Sequence, residues 1–188
     1  MADNDALLTN QMPHSPQAEQ AVLGSMLIDP DCIKDVMDKL QPEDFYLRAN
    51  RDIFETIYHM FIYSRPIDGV TVAGEMERNG VYNDNTRDYL VQLMDVTPTS
   101  ANVMEYVKIV LDKSLMRQVA AAAGSITAMV QEGNGDAGDM LESAEQKVYA
   151  IRRGRSAQNM VTVSMVLQDV MNHLAELTAS GGKTLPGL

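Results

Sequence analysis

Apolar positions recur over a longer span between Pro98 and Arg153 than anywhere else in the chain. Leu111, Leu115, Val119, Ala122, Ile126 and Met129 follow a 4-4-3-4-3 spacing, and beyond Gly133-Asn134-Gly135-Asp136 the residues Leu141, Ala144, Val148 and Ile151 continue at 3-4-3. Steps of three and four residues line one side of a helix. The pattern therefore predicts a long helix from Ala101 to Glu132, a Gly-rich stop and turn, and a second helix that folds back, with Asp136 as its N-cap. Ser100 is a suitable N-cap for the first arm, and no proline follows until Pro186. At 1.5 Å per residue that arm runs about 45 Å. A two-helix hairpin is too thin to hide both apolar stripes, so these 98–153 residues are expected to pair with another surface. The small-residue row Ala120, Gly124 and Ala128 permits close approach of a helix from a second chain, which would complete a four-helix bundle. The candidate oligomer interface is Leu111, Leu115, Val119, Ala120, Gly124, Ile126, Ala128, Leu141 and Val148.

Shorter helices precede the hairpin and form a head over residues 14–97. Ser15 and Pro16 are placed to cap and open the first helix, in which Ala18, Ala21, Val22 and Ser25 face one way and which Asp29-Pro30 ends. Cys32, Ile33, Val36, Met37 and Leu40 make the stripe of a second. Gln41 to Tyr46 reads as a turn, with Phe45 entering the core. Asn50 is the expected cap of a third helix carrying Ile53, Phe54, Ile57, Tyr58, Phe61 and Ile62, and Thr71 that of a fourth ending at Asn79-Gly80. One more helix runs near Thr86 to Met94. No convincing strand is present, so the fold class is all-α. Residues 1–13 read as a disordered tail and 154–163 as a flexible linker. Ser164 caps a last amphipathic helix over residues 164–178, whose apolar face includes Leu167, Val170, Met171 and Leu174. Residues 179–188 form a Gly-rich tail. The last helix either packs on its own domain or docks on another subunit.

Charge and composition narrow the function. Of the net charge of −11, residues 14–100 carry −8 from 7 basic and 15 acidic residues, whereas 101–153 carry −1. An acidic head repels a phosphate backbone, so a nucleic-acid grip must lie elsewhere. With no Trp and 14 Met, the core rests on aliphatic side chains. The single Cys32 excludes an intrachain disulfide and suits a reducing cytoplasm. No signal peptide is visible, and the apolar run from Val119 to Val130 is too short and too interrupted to span a bilayer.

Catalytic chemistry is not legible. Gly181-Gly182-Lys183-Thr184 lacks the leading glycine of a phosphate loop, whose place is held by Leu177, and it follows a helix rather than a strand. It reads as a connector. His14, His59 and His173 show no metal-ligand spacing. Asn83-Asp84-Asn85 and Asn134-Gly135-Asp136 lack the glycine and glutamate of a calcium loop. Asp35 and Asp38 read as a solvated helix face. No cofactor or metal site is assigned to the chain.

Five segments point to a family. Pro16-Gln17-Ala18-Glu19-Gln20-Ala21-Val22-Leu23-Gly24-Ser25-Met26-Leu27, Pro42-Glu43-Asp44-Phe45-Tyr46, Pro66-Ile67-Asp68-Gly69-Val70-Thr71, Pro98-Thr99-Ser100-Ala101-Asn102 with Tyr106-Val107-Lys108-Ile109-Val110, and Lys113-Ser114-Leu115-Met116-Arg117 together resemble the N-terminal domain of the bacterial or phage replicative DNA helicase DnaB. The match runs from residue 13 to about 178. The resemblance implies a head and hairpin joined through a linker helix to a RecA-like motor, which would hold ATP and Mg and most of the DNA contacts. It also implies hairpin-paired dimers, three of them in a hexameric collar. Primase would bind that collar, a helicase loader is a further partner, and the linker helix would dock on the neighbouring motor. The sequence departs from the family in having no motor, so these residues read as a non-catalytic fragment. Tyr89 and Ile126, both placed near the head–hairpin junction, are the candidate primase contacts beside a plain core role. Two rival readings remain: the helicase-binding domain of a primase, which resembles this head and hairpin in fold, and an all-α enzyme.

Overall fold

The computed structural model describes residues 12–133 and 136–158, and among them the chain is all helical. Seven α-helices follow in order: α1 Pro16–Ile28, α2 Ile33–Met37, α3 Arg48–Ile62, α4 Gly69–Arg78, α5 Thr86–Asp95, α6 Val103–Glu132 and α7 Ala137–Gln158, with 3-10 turns at Pro30–Cys32 and Pro42–Asp44.

The head is assembled around α1. Ser15 accepts the Ala18 N–H at 3.4 Å and Pro16 occupies the first turn. Six consecutive residues, Val22 to Leu27, are buried, so the helix is enclosed on all sides instead of presenting the single face suggested by Ala18, Ala21, Val22 and Ser25. It packs against α3, α5 and α6. Gly24 makes this possible: a Cβ at that position would lie 2.3 Å from the Leu93 carbonyl oxygen and 2.3 Å from Thr97 Oγ1. Ile33, Val36, Leu40 and Phe45 are fully buried, and Phe45 packs on Phe54 with ring centroids 4.8 Å apart.

Several helix starts differ from the sequence expectation. Helix α3 begins at Arg48 with Leu47 in the N-cap position, and Asn50 is buried inside the helix. Its buried stripe closes on Met60, while Phe61 and Ile62, the last two residues of the helix, are exposed. The cap of α4 is Asp68, which accepts the Val70 and Thr71 N–H groups at 2.8 and 2.9 Å while Thr71 Oγ1 accepts the Asp68 N–H. Ser100 does not cap α6; its hydroxyl donates to Asp29, and the helix opens two residues later than expected, behind Asn102.

Helix α6 joins the head to the hairpin. Val103, Val107, Val110 and Ser114 are buried against the head, and the helix stops at Gly133, whose φ of 64° is the left-handed geometry glycine favours. Asp136 accepts the Ala137 N–H at 2.8 Å and so opens α7. That helix continues to Gln158, so residues 154–158 extend the second arm where a flexible linker was expected. By compactness the chain divides after Ile151. Most of the expected tail, the linker helix with Leu167, Val170, Met171 and Leu174, and the C-terminal tail lie outside the described residues. Of the expected tail, Met12 and Pro13 are among the described residues.

Candidate interaction surface

Two polar clusters fix the geometry of the surfaces this domain can offer. The first lies inside the head. Glu19, 1% exposed, accepts the Tyr46 N–H at 2.8 Å, the Leu47 N–H at 3.2 Å and Asn50 Nδ2 at 2.9 Å. Asn50 Oδ1 in turn accepts the Tyr89 hydroxyl at 2.6 Å, and that hydroxyl accepts Gln20 Nε2 at 3.3 Å. One carboxylate thus ties α1 to the loop before α3, and through Asn50 to α5. Burial raises the Tyr89 phenol above its ordinary pKa. Tyr89 is half-buried and packs against the core of the head.

The second cluster sits where α6 leaves the head. Arg117 donates from Nη1 to the Pro13 carbonyl at 2.9 Å and from Nη2 to the Asp44 carbonyl, and its guanidinium lies 5.6 Å from the Tyr46 ring centre. The other partner of that ring is His14, stacked at 4.4 Å. One turn earlier, Ser114 Oγ donates to Asp44 Oδ1 at 2.6 Å. Sequence reasoning missed both clusters, although each leaves a trace. Glu19 stands three, four and seven residues before the buried Val22, Leu23 and Met26, on their stripe. Ser114 and Arg117 continue the head-facing row of Val103, Val107 and Val110 by four and then three residues.

The hairpin residues singled out from the sequence are spread over different surfaces. Leu111 packs against the head core. Leu115 and Ile126 are half-buried, whereas Val119, Leu141 and Val148 are 52%, 62% and 51% exposed. Ala120, Gly124 and Ala128 are exposed, and a Cβ on Gly124 would meet nothing within 4 Å. The structure separates Tyr89 from Ile126, which stands nine residues beyond Arg117, or about 13 Å along α6. Of the two, only Tyr89 packs against the core of the head.

A cleft of about 410 Å³ opens between α3 and α4, lined in part by Asp52, Glu55, His59, Arg65 and Glu75. Two arginines hold its Glu75: Arg65 and Arg78 each lie 2.7 Å from that carboxylate, and His59 lies 3.9 Å from Glu55. The Cys32 thiol is pushed up to about 11, chiefly by burial and then by Asp29, which keeps it protonated. Among the described residues no three His, Cys, Asp or Glu side chains are grouped to hold a metal ion. No described helix is long and apolar enough to cross a membrane.

The fold defines a small helical head carrying a long helical hairpin. Comparison with known proteins then identifies it. The model of the DnaB-like helicase N terminal domain matches residues 11–112, and the chain belongs to that family. It is 33% identical over 178 residues to the replicative DNA helicase DnaB of Mycobacterium leprae, covering 92% of this chain and 29% of the relative, and 29% identical over 174 residues to that of Pasteurella multocida, covering 90% and 37%. The chain thus spans about a third of the length of the curated relatives it matches. Among solved structures, the N-terminal domain of DnaB helicase from Mycobacterium tuberculosis superposes with a TM-score of 0.71 at 33% identity, covering 75% of this chain and 99% of that one. The N-terminal domain of DnaB helicase from Helicobacter pylori, described together with its interactions with primase, shares the fold with a TM-score of 0.55 at 23% identity, covering 61% and 90%.

Proposed function

We propose that this domain is the assembly and partner-docking collar of a hexameric replicative DNA helicase, itself non-catalytic, built from dimers that pair through their hairpins. The observation that carries the reading is the apolar material left outside on the arms. Ile109, Met116, Val119 and Val130 on α6 and Leu141 and Val148 on α7 are all more than a third exposed. In α6 the half-buried distal residues Ala122, Ile126 and Met129 lie roughly 100° around the helix from the exposed Met116, Ala123 and Val130. The equivalent offset in α7 separates half-buried Met140, Ala144, Lys147 and Ile151 from exposed Leu141 and Val148. In an antiparallel pair whose arms meet along the half-buried rows, the two exposed rows fall on one broad face. A second hairpin laid on that face would bury both.

ATP hydrolysis, unwinding and most DNA contacts belong, in this reading, to a motor domain outside these residues. Primase is the proposed collar partner: the H. pylori relative is described with it, and the half-buried Tyr89 is the candidate contact. A loader is a further candidate. The family match disfavours the rival reading as a primase's own helicase-binding domain.

Light scattering of wild type and Leu141→Glu tests the assembly. The wild type should weigh at least twice the chain mass at tens of micromolar, and Leu141→Glu should shift towards the monomer with its helical circular dichroism intact. A strictly monomeric wild type would sink the proposal. Leu115→Glu and Ile126→Glu are less decisive, because both residues are half-buried within their own chain.

A further inference from the structure

We infer that Arg117, with Ser114, is a clasp that sets the direction in which the hairpin leaves the head, and that the segment Met12–His14 is its latch. The apolar grip of the head on α6 is confined to the helix's first turns: Val103, Val107 and Val110 are core residues, and Tyr106 and Leu111 pack at the core's edge. Among the described residues nothing apolar on α6 beyond Leu111 belongs to that core. The next attachments are polar and directional. Ser114 binds the Asp44 carboxylate, and Arg117 binds two backbone carbonyls from separate parts of the chain, those of Pro13 and Asp44. Asp44 is itself held in place, since its other carboxylate oxygen accepts the Gln41 N–H at 2.8 Å.

Arg117 suits this task. A planar fork with several donors can reach two carbonyls while stacking on an aromatic ring, which an ammonium cannot do. The carbonyl of Pro13 and the ring of His14, stacked on Tyr46, place this segment at the foot of the hairpin. Arg117 also marks a mechanical boundary. From there to Glu132 the helix projects about 22 Å, so a rocking motion of roughly 10° at the clasp moves the tip by about 4 Å. Apolar packing over three turns tolerates small rotations of this kind, whereas forked hydrogen bonds to fixed carbonyls resist them. Removing the clasp should leave α6 seated and free its direction.

This inference concerns movement within one chain and holds whether or not the hairpins pair. Its test is a distance distribution by pulsed electron paramagnetic resonance in the full chain. Spin labels go on the exposed Glu77→Cys and Glu132→Cys in a Cys32→Ser background, diluted with unlabelled protein so that only intrachain distances are read. The unmutated clasp should give one narrow distribution, and Arg117→Ala should broaden it about twofold with unchanged helical content. Arg117→Lys should fall between the two. Unchanged width in Arg117→Ala overturns the inference. Should Arg117→Ala lose its helical signal, the combination Ser114→Ala with His14→Ala is judged by the same width, broadening supporting the clasp and an unaltered distribution rejecting it. Oligomeric mass is measured separately, so failure of the clasp and failure of the assembly reading are told apart.

Discussion

Glu19 and Asn50 meet in the interior of the head, with the Asn50 side-chain amide donating to the Glu19 carboxylate at 2.9 Å and neither residue more than 1% exposed. The same carboxylate receives two backbone N–H groups from the loop before α3. A buried charge is tolerable only when its lone pairs are occupied, and here three donors occupy them. Glu19→Ala should lower stability by about 3 kcal/mol, because it leaves three buried donors without a partner. Glu19→Gln, which keeps the shape and part of the bonding, should cost clearly less. Urea denaturation of the two variants checks the order, and equal losses would contradict it.

Gly24 is intolerant of any side chain. Its added Cβ would press on the Leu93 carbonyl, a backbone atom that cannot turn aside. Gly24→Ala is expected to cost about 3 kcal/mol, the upper part of the overpacking range, in spite of the better helix propensity of alanine. A denaturation midpoint equal to or above that of the wild type would show that α1 and α5 can separate freely.

Tyr89→Phe separates the internal role of the hydroxyl from any role of the ring in partner binding. Loss of the hydroxyl removes a donor from the buried Asn50 carbonyl and should cost about 1–2 kcal/mol. The phenol's pKa is raised above 10.0, so the folded state holds that proton more tightly than the unfolded chain does. Its stabilising contribution is intact below the unfolded value and is lost as pH rises through the folded one. The stability gap between wild type and Tyr89→Phe should therefore hold through neutral pH and shrink above about pH 10. If primase binding falls with Tyr89→Ala but not with Tyr89→Phe, titrated by calorimetry, the ring edge is the contact.

Asp68 closes the start of α4, and Asp68→Ala should cost about 1 kcal/mol in thermal or urea unfolding. Its carboxyl lies below its ordinary 3.8, first because of the Thr71 N–H and also the Val70 N–H. Depression of an acid's pKa means that the cap works fully above that ordinary value and fails as pH falls through the folded one. The gap between wild type and variant should be constant from neutral pH to about pH 4 and close below it.

On the hairpin, Val148→Lys places a charge on a side chain already 51% exposed. Stability of the single chain should change by no more than about 0.5 kcal/mol, whereas association should weaken by about tenfold or more. Sedimentation at several concentrations measures the second effect. Equal association would move the pairing face away from α7.

The amino-acid sequence by itself determined the helices, the hairpin and its glycine stop, because these follow from local spacing, turn chemistry and the left-handed preference at Gly133. The family, too, was legible, since its segments lie in order along the chain. Caps were less so. Ser100, Asn50 and Thr71 are all residues that can cap a helix, yet Ser100 is taken by Asp29 and Asn50 by Glu19, partners 71 and 31 residues away. Only the tertiary structure decided that α1 is the hub of the head, and that Glu19, Asp44 and Arg117 are braces instead of surface charges. The physical reason is that a polar side chain in a helical stripe looks the same in sequence whether solvent or a distant carbonyl receives it. Burial and the arrival of donors from other segments make that choice.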